Sequence, residues 1–288
     1  MPAPTSPTVR RRRLAAELRR IRDQLGLTLE EVADRLHWSA SKLSRIETAK
    51  SGAKITDVRR LLQLYQATGP QAEELQTLAR EAELKGWWEA YSDTLQEEVS
   101  AYIGLEAEAV QAAQWQSQVI PGLLQTEAYA EQTVLALQPV ISRPPGQIKA
   151  SVAIRLHRQQ VLTRDRPLSF SAVLDESILW RGYGGAEVMY EQLIKLIEVS
   201  RLPNVRLFIR PLKAPRPAPT VPPFTYLDFG ASFHAVVSIE LLNSAVYVEN
   251  DLDTYRYSLI FETLREQSLD CEASRKLISE LAEEHWQA

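Results

Sequence analysis

Between Gly26 and Lys50, two short amphipathic stretches meet at a corner of a few residues, and this pair constrains the fold more than any other feature of the chain. Thr28 precedes Leu29, Val32, Ala33 and Leu36, which recur at helical spacing. Glu31, three residues after Thr28, completes the pattern of a capping box, in which hydroxyl and carboxylate each satisfy a backbone amide at the helix start. Ser39 then caps a second short pattern in which Leu43 and Ile46 point inward, while Ala40, Ser41, Lys42, Ser44 and Arg45 fill its start and outer face. The turn Leu36-His37-Trp38-Ser39 requires a compact corner, with Trp38 filling the angle. Before this pair, Leu14, Leu18, Ile21 and Leu25 predict a helix that Gly26 stops. After it, Ile55 to about Gln66 predicts another through Val58, Leu61, Leu62 and Tyr65, closed by Gly69-Pro70. A second short helix set across a tight turn is the arrangement that offers N-terminal side chains to a DNA groove.

Charge supports that reading only when the chain is divided. Across 288 residues the net charge is -4, yet residues 1–70 carry 14 Lys and Arg against 7 Asp and Glu, a net +7. The remainder carries 19 against 30, a net -11. A basic front end can release counterions from a nucleic acid, and the acidic remainder is expected to face away from the same polyanion. The length favours a small module plus a larger one, and 45% hydrophobic residues suffice for a sizeable core.

Gly26-Leu27-Thr28, Ala33, Ser39 and Ser44-Arg45-Ile46-Glu47 resemble the XRE-type phage-repressor helix-turn-helix over about residues 14 to 68. His37 and Ala49 stand where that family usually has glycines, at the turn and after the recognition helix. Within this frame Ser41, Lys42 and Arg45 are expected to read base edges, and Thr28, Ser39, Ser44 and Lys50 to hold phosphates or the helix start, with Ala40 beside them. Arg11, Arg12 and Arg13, with Arg10, form a basic arm expected to bind phosphate nonspecifically and to add minor-groove contacts. Glu47 is read as a brace to Arg19 or Arg22.

Further helices are predicted at about 71 to 90, 92 to 101, 103 to 115 and 125 to 138, with a basic helix at 147 to 163 after the break Ser142 to Gly146. From Leu168 the pattern changes to strand at Ser169 to Leu174, helix at Ala186 to Arg201 and strand at Val205 to Ile209, a unit expected to be parallel. Runs at 224 to 229, 235 to 241 and 244 to 249 extend the sheet as hairpins, and helices at 251 to 267 and 270 to 285 close the chain. Six prolines from Pro211 to Pro223 predict an extended surface loop.

Gly86-Trp87-Trp88, Ile120-Pro121-Gly122-Leu123-Leu124-Gln125-Thr126, Arg158-Gln159 and Asp175-Glu176-Ser177 resemble the WhiJ-like, antitoxin-like actinobacterial regulators over nearly the whole chain. That resemblance implies a repressor-like DNA-binding protein, often encoded beside a small partner protein, with a C-terminal domain of poorly defined role. The expected fold is mainly α with an α/β part: a flexible basic arm at 1–13, a five-helix helix-turn-helix domain at 14–80, a helical connecting region at 81–165, and a mixed-sheet α/β domain at 166–288 for sensing or partner binding and dimerisation.

The expected partners are double-stranded DNA, a second copy of the chain, and a small protein or small-molecule ligand. No cofactor, metal site or membrane contact is expected. Cys271 is the single cysteine, read as an inert core residue, which leaves no intrachain disulfide and no Cys-rich zinc site. The N-terminus lacks the apolar run of a signal peptide, so a cytoplasmic protein is expected. No enzyme is expected either: His37, His157, His234 and His285 are scattered, and no HExxH, GxxxxGK[ST] or GxSxG pattern occurs. Asp175-Glu176 and the turn Arg181 to Gly185 are read as structural.

Overall fold

The computed structural model describes residues 7–83, 86–91, 95, 97–230, 234–242 and 244–287. The chain forms two compact units that divide between Glu89 and Ala90. The expected class holds: a helical N-terminal part, and a C-terminal part with a mixed sheet and helices.

The N-terminal unit contains α1 (Pro7–Gln24), α2 (Leu29–Leu36), α3 (Ala40–Glu47), α4 (Ile55–Leu64) and α5 (Pro70–Ala82). α1 packs against α3 and α5, α2 against α3, and α4 against α5. Their apolar stripes close one core around Leu18, Val32, Leu43, Val58 and Leu61, all fully buried. The flexible arm expected at 1–13 is corrected over 7–13, which form the first turns of α1. The cause is a docking site: Arg10 pairs with Glu81 at 3.2 Å, and Arg13 pairs with Glu74, both on α5. Residues 1–6, expected to be a disordered lead, lie outside the described residues. The helix expected to run to residue 90 ends at Ala82, and Trp87–Tyr91 is a single 3-10 segment. A β-carbon on Gly86 would stand 2.4 Å from the Trp88 ring, so the glycine is what lets that indole lie against the backbone.

The C-terminal unit is built on six strands: β1 (Gln111–Gln116), β2 (Ser169–Asp175), β3 (Val205–Arg210), β4 (Phe224–Asp228), β5 (Val236–Glu240) and β6 (Ala245–Val248). Their order is β3-β2-β1-β4-β5-β6. β1, β2 and β3 are parallel, in the register Ala113↔Ser171 and Ala172↔Leu207, whereas β4, β5 and β6 run antiparallel. The strand-helix-strand unit is as expected, with α9 (Ala186–Val199) between β2 and β3. The hairpins after the proline loop also form.

β1 corrects two expectations. Residues 103 to 115 are not one helix: α6 (Glu97–Glu108) ends and β1 begins at Gln111. A boundary at 165/166 would therefore cut the sheet, because β1 pairs with both β2 and β4. Its sequence Gln-Ala-Ala-Gln-Trp-Gln has no β-branched residue, and a central position between two strands outweighs that weak propensity. Residues 92–94 and 96 of the helix expected at 92 to 101 lie outside the described residues.

The remaining helices are α7 (Glu127–Leu135), α8 (Pro145–Arg158), α10 (Asp251–Glu266) and α11 (Cys271–Leu281). The basic helix stops at Arg158 and passes into the 3-10 turn Gln159–Leu162. α10 packs across β1 to β5, burying Trp115, Val173, Phe224 and Val237 with its own Phe261 and Leu264. Cys271 is half-buried at the start of α11 rather than deep in the core. Asp175 caps the turn Glu176–Trp180 by accepting from the Ser177 amide, and Glu176 accepts from the Leu212 amide at 2.9 Å, so both carboxylates have structural work.

Candidate nucleic-acid interface

α2 and α3 stand as the helix pair the caps predict. Thr28 Oγ1 accepts from the Glu31 amide at 3.2 Å, while Glu31 accepts from the Thr28 amide at 2.8 Å. These hydrogen bonds from the Thr28 amide and hydroxyl hold the Glu31 carboxyl below its ordinary pKa. Ser39 Oγ accepts from the Lys42 amide at 3.2 Å and lies 3.1 Å from Ser41 Oγ.

The corner between the helices is a left-handed stop. His37 sits at φ 54 and ψ 46, its amide donates to Asp34, and the Trp38 amide donates to the Ala33 carbonyl at 2.8 Å. This is the bonding of a helix end that glycine favours, adopted here by histidine. Ala49, at the other position where the resemblance expects glycine, also has a positive φ, 56.

One buried ion pair sets the pitch of α3 against α1. Arg22 Nε and Nη2 donate to the Glu47 carboxylate at 2.8 to 3.0 Å, and Arg22 Nη1 donates to the Leu27 carbonyl at 2.7 Å. Both residues are less than a tenth exposed. Hydrogen bonding to Glu47 raises the Arg22 pKa above its ordinary value against the opposing effect of burial. The brace predicted for Glu47 thus forms with Arg22, and Arg19 pairs instead with Asp23 at 3.6 Å.

On the outer face, Ser41, Arg45 and Lys50 are exposed, and Ala40, Lys42 and Ser44 are partly so. Arg45 has no side-chain partner among the described residues, which leaves its guanidinium open to an incoming acceptor. Lys42 differs. Its Nζ lies 3.0 Å from Asp57 Oδ2 in the first turn of α4 and 3.9 Å from the centroid of Trp38. The Arg60 guanidinium also approaches that ring, 5.3 Å from the centroid, and donates to the Leu36 carbonyl at 2.7 Å. Trp38 therefore fills the corner as expected and collects cations there. Asp57 and Arg60 were absent from the sequence-predicted set. Their signal, a charge in the first turn of the next helix and another one turn on, is indistinguishable from an ordinary solvated face.

The N-terminal arginines divide. Arg10 and Arg13 are committed to α5, whereas the Arg11 guanidinium reaches the loop after α3, where a β-carbon on Gly52 would stand 3.6 Å from its Nε. Arg12 is half-buried. Of the predicted set, Thr28, Ser39, Ser41, Ser44 and Arg45 are gathered on α2 and α3, with Lys50 just beyond, and Arg12 and Arg13 belong to α1.

A family model described as a helix-turn-helix domain matches residues 13–75, and one described as a domain of unknown function (DUF5753) matches residues 99–280. No curated protein and no solved structure matches the chain. Among the described residues, no helix is long and apolar enough to cross a membrane, and no cluster of His, Cys, Asp and Glu could hold a metal ion.

Proposed function

We propose, for a chain that belongs to the DUF5753 family and carries a helix-turn-helix domain ahead of it, a sequence-specific, repressor-like transcription regulator. It acts as a cytoplasmic dimer of the XRE type, controlled through its C-terminal unit. The single observation that carries this reading is α3: a capped helix whose exposed face bears Ser41, Arg45 and the partly exposed Lys42, and whose pitch is fixed by a buried ion pair. A helix so held can enter a major groove with its N-terminal half toward base edges. Arg45 is assigned to a base edge, with guanine the best geometric match for a guanidinium fork. Ser39, Ser44, Lys50 and Thr28 are assigned to phosphates or the helix start, and Ser41 and Lys42 to base edges beside Arg45.

The dimer follows from the small footprint of one recognition helix, which two-fold pairing doubles. Selection of bound fragments from a random duplex pool tests the whole reading. A palindromic or direct-repeat consensus supports it, and an unenriched pool refutes it.

A second reading, control by a small partner protein, has its own observation. Leu252, Tyr255 and Leu259 lie on one side of α10 and are about half exposed, and the edge strand β6 exposes Val246. An exposed apolar stripe and a strand at the sheet edge are surfaces a protein partner covers. Copurification of a small neighbour-encoded protein, lost on Tyr255→Asp, would support that route. Unchanged copurification would remove α10 from it.

A further inference from the structure

Within the C-terminal unit, α6, α7, α8, the α7–α8 connection and the β5–β6 turn line an open-mouthed cavity of about 370 Å³. That volume lies in the range of small-molecule sites. Val134, Leu137 and Ile154 give it an apolar wall, and three guanidinium groups, Arg143, Arg155 and Arg158, line it as well.

The three arginines are not equivalent. Arg158 is already neutralised: its Nε and Nη2 donate to the two oxygens of Glu106, each at 2.8 Å, and it lies 4.9 Å from the Tyr102 ring centroid. Arg155 has only neutral acceptors. Its Nη1 donates to Ala130 O at 3.3 Å, to Gln125 Oε1 at 3.4 Å and to Thr133 Oγ1, and no carboxylate pairs with it among the described residues. Burial, aided by the neighbouring Arg158 charge, pulls its pKa down to about 10. The Arg143 guanidinium has no hydrogen-bond or ion-pair partner among the described residues. Gln138 holds its backbone from both sides, accepting from the Arg143 amide at 2.7 Å and donating to the Arg143 carbonyl at 3.0 Å.

Two cations with no carboxylate hydrogen-bonded to them among the described residues, beside an apolar wall, describe a receptor for an anion. Among the described residues, Glu240 is the one carboxylate in the lining, and it is exposed. A ligand with a second anionic group would meet it, so a single acidic end is favoured.

We propose that this cavity binds a small carboxylate-bearing amphiphile, its carboxylate on Arg155 and Arg143 and its apolar body against Val134, Leu137 and Ile154. A guanidinium and a carboxylate form paired, charge-assisted hydrogen bonds, and Nε and Nη2 of Arg155 remain for them. Such a ligand would bridge α7 and α8 and stiffen the unit. Its effect on DNA affinity rests on the regulator reading above, but binding itself does not.

Calorimetric titration of the full chain without DNA separates the two. Octanoate is the probe, with octanol and octylammonium as neutral and cationic analogues of the same length. The expected result is saturable octanoate binding, weaker by about tenfold or more for both analogues and for Arg155→Gln and Arg143→Gln, and partly restored by Arg155→Lys. Arg143 bridges no secondary elements through its side chain, so its variant reports binding even if Arg155→Gln unfolds. Absence of octanoate binding, equal binding of octanol, or unchanged affinity in Arg143→Gln would overturn the proposal.

Discussion

Arg45 and Lys42 lie on the same helix and differ in what they already hold. Arg45 is exposed and open, so a base contact adds a hydrogen-bonded pair without breaking another. Arg45→Ala is expected to cost about 1 to 3 kcal/mol of specific binding and to relax one operator position, read by competition with single-base variants. Lys42 must leave Asp57 to reach DNA. A partly exposed ion pair of this kind contributes about 1 kcal/mol, so Asp57→Asn is expected to tighten binding by up to about fivefold. Titrations that give equal or weaker affinity would show that Lys42 does not turn toward DNA.

The caps at Thr28 and Ser39 were legible because cap chemistry is local, hydroxyl to amide within one turn. The Lys42–Asp57 pair was not, because it joins two helices. The left-handed positions were legible in place, and the structure adds their conformation. A non-glycine residue there pays a steric penalty that exceeds the entropy glycine adds to the unfolded chain. His37→Gly and Ala49→Gly are each expected to raise stability by up to about 1 kcal/mol, measured by urea unfolding.

At the scale of elements, α3 is only as well aimed as its brace. Removing one partner of the Arg22–Glu47 pair leaves a buried charge, so Glu47→Ala is expected to lose about 3 to 5 kcal/mol and to abolish specific binding with it. The α2 cap supplies a pH dependence. Because the Glu31 pKa is lower in the folded chain than in the unfolded one, its contribution is complete above the ordinary carboxylate range and is lost as pH falls through the folded value. The thermal stability of the N-terminal unit should therefore fall in acid, and Glu31→Gln, which keeps the amide acceptor without the titration, should flatten that part of the profile. The strands β2 to β6 were readable from β-branched and aromatic runs between turn residues. β1 was not, because what makes Gln111–Gln116 a strand is two neighbours distant in sequence, and its Ala113 is small enough to lie beneath α10 beside Trp115. The cavity arginines were unreadable for the same reason: Arg155 resembles any basic residue late in a helix until Arg158 is seen to hold the buried Glu106 carboxylate.

At the scale of the molecule, the division of charge and the division of structure fall close together, near Pro70 in the sequence and after Glu89 in the fold. A basic helical unit joined to an acidic α/β unit fits the proposal that the first meets the polyanion and the second serves control. The ion pairs of Arg10 and Arg13 with α5 reduce the number of arginines expected to contact phosphate from the α1 start, so the salt dependence of binding should owe little to them. The most direct test of the central claim is low-salt gel-shift competition with the intact chain, using fragments enriched from a random duplex pool against scrambled duplexes of equal length. The account predicts that the native chain prefers the enriched fragment and that Arg45→Ala narrows the preference without removing nonspecific binding. Equal competition by enriched and scrambled duplexes would contradict it.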